Sequence, residues 1–205
     1  LERILQLKTS FSIPIREQII NKVHMTSEKV NRSLFDEAAD LMREIPGGEY
    51  INRDGEERLQ MENRKYVRIN FASSGQQEVV WILNVLFYYL LNNKKTFFII
   101  EEPESHLFPN SQKLITEFIS LVQNGGENQM FITTHSPYIL GTINNLLYAG
   151  RISGMVDKKR LNEIIKESRW ISFDKLDARF IEQGSARSRL DEEFGAIQNE
   201  VIDGA

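Results

Sequence analysis

Apolar residues recur along this chain at two different periods, and each period marks a different kind of element. Val30, Leu34, Ala38, Leu41 and Ile45 follow one another at three- and four-residue steps, the stripe of one face of an amphipathic helix. Thr26 or Ser27 is the expected cap at its start, and Pro46-Gly47-Gly48 ends it. The whole stretch 1–45 reads as helical and charged. Two short arms follow around Asn52-Arg53-Asp54-Gly55, whose Asp-Gly pair predicts a tight hairpin turn. Tyr66 to Phe71 extends the arms into a small antiparallel sheet. Val79 to Leu91 is then a 13-residue apolar run interrupted by Asn84. It is shorter than the ~20 residues needed to cross a bilayer, so a buried helix is expected and no membrane association. Thr96-Phe97-Phe98-Ile99-Ile100 is a short continuous apolar run, expected to be a strand covered on both faces. A helix is expected from Asn110 to about Val122, closed by Gly125-Gly126, and a second buried strand from Met130 to Thr134. Further on, the pattern predicts a basic helix near Lys158–Glu167 and strand-like pieces at Trp170–Phe173 and Ala178–Glu182.

Strand, helix and strand in this order predict an α/β fold with a parallel sheet, flanking helices and a small antiparallel hairpin. Three segments are expected: a helical stretch with the hairpin at 1–70, the α/β core at 71–150, and an α+β extension of the same domain at 151–205. The 205 residues fit one ordinary domain, or one domain with an appendage. Hydrophobic residues make up 41% and charged residues 26%, which excludes a disordered chain. A net charge of −4 gives no global pull towards nucleic acid. The absence of cysteine excludes a disulfide framework and a thiolate metal site, and a reducing cytoplasm is the expected compartment.

Ligands of parallel sheets bind at the carboxyl ends of the strands, and the candidate chemistry falls there. Glu101 and Glu102 end the first buried strand. Adjacent strand residues point to opposite faces, so one carboxylate can face a metal while the next faces a water. Nucleotide hydrolysis divides labour in that way. The pair also reads as a plain acidic loop. His135 ends the second strand and is either a donor to a phosphate or a turn histidine. Ser73-Ser74-Gly75-Gln76 opens the apolar helix, where free N–H groups and the dipole favour an anion, although a helix cap needs only one of the serines.

In their order, these features resemble the ATP-binding-cassette (ABC) class of P-loop ATPases. They are most similar to the soluble heads of the OLD-like (overcoming lysogenisation defect) and AAA-type group, relatives of the SMC and RecF heads. Ala72-Ser73-Ser74-Gly75-Gln76 resembles the signature motif, Thr96 to Glu102 the Walker B strand, Ser105-His106-Leu107-Phe108 the D-loop, and Ile132 to Ser136 the switch-histidine turn. The likeness is strong over about 66–150. It implies ATP and Mg²⁺ as cofactors and an ATP-dependent homodimer. Glu101 would take the metal side, Glu102 the general base, and His135 the γ-phosphate. Ser73, Ser74, Gly75 and Gln76 would reach nucleotide on the opposite subunit, with Ser105 in the D-loop between the sites. Glu101 stands where aspartate is usual, and Phe108 where transporters often have the D-loop aspartate; both variants look usual for the OLD-like group.

One element of the class is missing. None of the 12 glycines is followed by lysine, so no phosphate-cradling Gly-x-x-x-x-Gly-Lys loop is present. With the start at Leu1, this predicts the C-terminal part of a larger ATPase, inactive without an N-terminal phosphate-binding lobe. Two other readings compete. OLD-type proteins often carry a Mg²⁺-dependent nuclease domain, and Asp174, Asp177, Asp191, Glu192 and Glu193 lie in the tail, though without the spacing such a site needs. A non-catalytic module for dimerisation or for binding DNA, RNA or an effector protein is the other. Segment 151–170 holds six basic and three acidic residues, a local +3 that could touch phosphates.

Overall fold

The computed structural model describes residues 7–26, 31–61, 65–126 and 128–198. The chain forms two compact units, Leu1–Thr133 and Thr134–Ala205.

In the first unit, helix α1 (Ile15–Met25) precedes helix α2 (Arg32–Glu44). Residues 1–45 are therefore not one continuous helix. Thr26 is extended and closes α1, and the cap of α2 is Asn31, whose side chain accepts from the Leu34 amide at 3.3 Å. Thr26 is therefore not the cap of α2; Ser27 and Val30 lie outside the described residues. Strands β1 (Glu49–Arg53) and β2 (Glu56–Gln60) pair antiparallel around the Asp-Gly turn, and β3 (Tyr66–Arg68) adds to β2. Asp54 and Gly55 have φ of 53° and 80°, the left-handed pair that a two-residue hairpin of this hand requires.

Helix α3 (Ser74–Leu91), strand β4 (Phe97–Glu101), helix α4 (Pro109–Gly126) and strand β5 (Gln129–Thr133) complete this unit. β4 and β5 are parallel, as expected, in register from Phe97↔Gln129 to Glu101↔Thr133. Phe87, Ile115, Phe118 and Leu121 on α3 and α4 are fully buried, in one core with Phe11, Ile19, Ala38 and Leu59. Each large side chain of this set contributes roughly 1.5–3 kcal/mol over leaving it in water. Tyr50 packs its ring against Phe11 and Trp81. Burial, and the nearby Glu57 charge after it, hold its phenol protonated far above the ordinary tyrosine range.

The sheet departs from expectation in one respect. Phe98 and Ile100 are buried, but Phe97 and Ile99 on the other face are 58% and 66% exposed, and Phe131 is 51% exposed. The strand is covered on one face only. A continuous apolar run is the same whether its second face is covered or open, so the run could not tell these cases apart.

In the second unit, helix α5 (Pro137–Ile152) starts with proline and is capped by Ser136, whose hydroxyl accepts from the Tyr138 and Ile139 amides. Helix α6 (Lys158–Ile164) matches the basic helix, ending three residues before Glu167. Trp170–Phe173 is not a strand. Short 3-10 turns at Glu167–Arg169 and Phe173–Lys175 flank it, and the Trp170 indole donates back to the Ile165 carbonyl at 2.9 Å. That bond turns the chain where a strand would run straight. Hairpins β6–β7 (Arg179–Glu182, Ser185–Ser188) and β8–β9 (Leu190–Asp191, Ala196–Ile197) follow. Asn144 ties β9 to α5 by bonding both backbone groups of Ile197. Among the described residues, no helix is long and apolar enough to cross a membrane.

Candidate functional site

The start of α3 is fixed by a reciprocal cap. The Ser73 hydroxyl accepts from the Gln76 amide at 3.3 Å, and the Gln76 side-chain carbonyl accepts from the Ser73 amide at 3.1 Å. The Gln76 side-chain amide also donates to the Pro46 carbonyl at 2.8 Å, anchoring the turn to the end of α2. The amides of Ser74 and Gly75 sit in the first turn, where a helix supplies no internal acceptor.

Gly75 has a different structural role from the one its composition suggests. A β-carbon there would lie 2.4 Å from the backbone oxygen of His106 and 2.9 Å from its carbonyl carbon. Glycine is needed because the loop after β4 presses directly on the helix start, whether or not a ligand approaches. The His106 Nδ1 and the Glu78 carboxylate lie 3.3 Å apart and add a second contact between the same two elements. Gly75→Ala is expected to destabilise the protein by about 1–3 kcal/mol through overpacking against backbone. A urea midpoint indistinguishable from that of the parent would contradict this close approach.

The loop itself is a pair of tight turns. Glu102 has left the strand: its φ is 43°, and its amide donates to the Thr133 carbonyl at 2.9 Å. Its own carbonyl accepts from the Ser105 amide at 2.9 Å across Pro103 and Glu104, both buried. The Ser105 hydroxyl reaches the Glu102 carboxylate at 3.4 Å. A second turn joins the Leu107 amide to the Glu104 carbonyl at 3.0 Å, with His106 at φ 58°. Strand alternation therefore ends at Glu101. The backbone turn at Glu102, and not the pleat, separates the two acids.

Glu101 lies on the open face of the sheet, in register with Thr133. Below this polar pair stand Ile99 beside Phe131, and then Phe97. Thr133 was not singled out from the sequence, although its carbonyl anchors Glu102 and its side chain shares the open face with Glu101. The sequence carries a partial signal: each apolar run gives way to a polar residue, Glu101 after Ile100 and Thr133 after Ile132. Glu78 was also missed, because its contact is made through a loop about 28 residues away in sequence. His135 belongs to the second unit, just before the cap of α5. Among the described residues, no group of three or more His, Asp or Glu forms a metal cage. Glu101 is an exposed carboxylate at the tip of β4.

Three acids of the tail, Asp174, Asp177 and Asp191, make local contacts. The Ser172 hydroxyl donates to Asp174 and holds its carboxyl below the ordinary range. Asp177 pairs with Arg179 at 3.0 Å, and Asp191 accepts from the Glu193 and Phe194 amides. In the basic segment, Lys158 pairs with Glu167 at 2.5 Å and lies over the Trp170 ring, and Asp157 caps α6.

The model of the AAA ATPase domain family matches residues 2–140, a span that includes the α3 start, the β4 tip and the turn after β5. The chain belongs to this ATPase family. A comparison with curated proteins gives no match. Among solved structures, one from work described as structural biochemistry of ATP-driven dimerization and DNA stimulated activation of SMC ATPases overlays with a TM-score of 0.46 at 13% identity, covering 73% of this chain and 77% of that chain. The SMC head domain from Thermotoga maritima overlays with a TM-score of 0.38 at 15% identity, and this chain covers 44% of its length. Both likenesses are loose, and the family assignment rests on the family match.

Proposed function

We propose that this chain is the signature, Walker B and switch part of an ABC-type ATPase head of the OLD-like group, which dimerises around ATP and separates on hydrolysis. The family match over residues 2–140 carries this reading. Glu102 acts as general base towards the attacking water, and Glu101 holds the Mg²⁺ side. When bound, Mg²⁺ offsets charge on the transferring phosphoryl group. His135 contacts the γ-phosphate. Ser73 and the amides of Ser74 and Gly75 meet the nucleotide of a second copy, where the helix start favours negative charge. The Gly-Lys phosphate loop is supplied from outside these 205 residues. The open apolar face beside Glu101 supports that view, because parallel strands are ordinarily covered on both sides.

Titration calorimetry of Mg-ATP into the 205-residue chain, with ADP and metal-free controls, tests the reading. Absent or millimolar binding is expected. Micromolar, Mg²⁺-dependent binding would mean that the chain builds a complete phosphate site, and would overturn the half-site reading.

A further inference from the structure

We infer that the cleft at the carboxyl end of α3 binds a small aromatic anion, a ring that carries a phosphate or carboxylate. The cleft has a volume of about 550 Å³, within the ~300–1,000 Å³ of small-molecule sites. Leu7 and Val85 supply apolar wall, and Tyr88 and Tyr89 add two rings. Lys94 and Thr96 complete it where the chain passes from α3 into β4. The cleft is remote from the candidate nucleotide site. Thr96 precedes β4 and Glu101 ends it, about 16 Å apart at ~3.3 Å per residue. Nothing in the cleft depends on the roles proposed for Glu101 and Glu102.

The polar groups at the cleft call for an acceptor. The Lys94 ammonium donates to the Tyr88 hydroxyl at 3.3 Å and lies 4.8 Å and 5.9 Å from the Tyr88 and Tyr89 ring centres. An ammonium has three donors and no acceptor, and a phenol that accepts from it still has its own proton to donate. An oxyanion can accept from both. The lining residues include no Asp or Glu. Lys95 also lines the cleft, is engaged within the chain, and carries charge of the same sign. A helix end ordinarily disfavours anions through its free carbonyls, but here they are covered. The Tyr88 carbonyl accepts from the Asn92 amide at 3.2 Å and from its side chain at 2.8 Å. The Tyr89 and Leu90 carbonyls accept from the Lys94 and Asn93 amides at 3.0 Å and 3.1 Å. Asn93, with φ 48°, is the left-handed residue that this helix end requires. The same turn fixes the backbone of Lys94. The Tyr89 ring meets Phe98 edge-on at 5.2 Å and Tyr88 at 5.8 Å, so the core holds the aromatic wall. A flat ring is the apolar body that such a wall matches. Cation and rings stand in place before a ligand arrives, which limits the ordering cost of binding.

Saturation-transfer NMR titration of phenyl phosphate into the complete natural polypeptide, with and without Mg-ATP, tests the site. Saturable binding at about 0.1–1 mM is expected for a ligand of this size. Benzyl alcohol keeps the ring and loses the charge, and should bind at least about tenfold more weakly. Inorganic phosphate keeps the charge and loses the ring, and should compete at least about tenfold less well. Lys94→Gln should weaken phenyl phosphate by about tenfold and leave benzyl alcohol within about twofold, which separates a lost charge from a lost fold. Tyr88→Phe, which removes only the hydroxyl, should weaken phenyl phosphate by about threefold. No saturation by about 10 mM, equal binding of phenyl phosphate and benzyl alcohol, or full affinity in Lys94→Gln would overturn the site. Displacement by Mg-ATP would put phenyl phosphate in the nucleotide site and overturn it too. If phenyl phosphate binds as expected and the complete polypeptide binds no Mg-ATP, the cleft stands and the ATPase reading fails.

Discussion

Replacing Glu102 by glutamine in the complete polypeptide is expected to lower ATP turnover by about 100-fold or more, the scale of a positioned general base, while ATP-bound dimers accumulate. The substitution keeps the size of the side chain and removes its ability to take a proton. The backbone bonds that anchor residue 102, from its amide to Thr133 and from Ser105 to its carbonyl, do not depend on the carboxylate. The fold and the binding of ATP should therefore survive. The measurement is steady-state phosphate release together with size-exclusion light scattering in Mg-ATP. Undiminished turnover would remove Glu102 from the role of base.

Ser73→Arg is expected to abolish ATP-driven dimerisation, because it puts bulk and charge where the proposed dimer seats the opposing nucleotide. The serine also caps α3, so its loss alone costs about 1 kcal/mol. Ser73→Asn separates the two effects, since asparagine supplies another capping oxygen. The arginine variant should fail to dimerise at a temperature well below its melting point, where it is as fully folded as the asparagine variant. Dimers that persist in the arginine variant would contradict the placement of the helix start against a second copy.

Much of the fold was legible because its signals are local. The Asp54-Gly55 pair needs only its own backbone angles to make a hairpin. The apolar stripe on α2 and the long apolar run of α3 declare their helices by period and length. What was not legible depends on partners distant in sequence. Helix α2 takes its cap from Asn31, while Thr26 is extended and ends α1; Thr26, Ser27 and Asn31 are all residue types able to cap, and the local sequence does not choose among them. Trp170-Ile171-Ser172-Phe173 is rich in the aromatic and β-branched residues that strands favour, yet the indole bond to Ile165 turns it away from one. The candidate site shows the same division. Glu101, Glu102 and the Ser73 turn stand out as chain endings of regular elements. The demand for glycine at position 75 comes from the backbone of His106, about 31 residues later, and nothing in the local sequence announces it.

The two left-handed residues of the β4–α4 loop set stability against activity. Glu102 and His106 hold φ of 43° and 58°, a conformation that costs most side chains about 1–2 kcal/mol and glycine almost nothing. Glycine at either position would relax the backbone. At 102 it would also delete the carboxylate, and at 106 it would delete the imidazole that meets Glu78. Selection for heat resistance alone is therefore drawn to the positions where a gain in melting temperature degrades the loop that holds the proposed base.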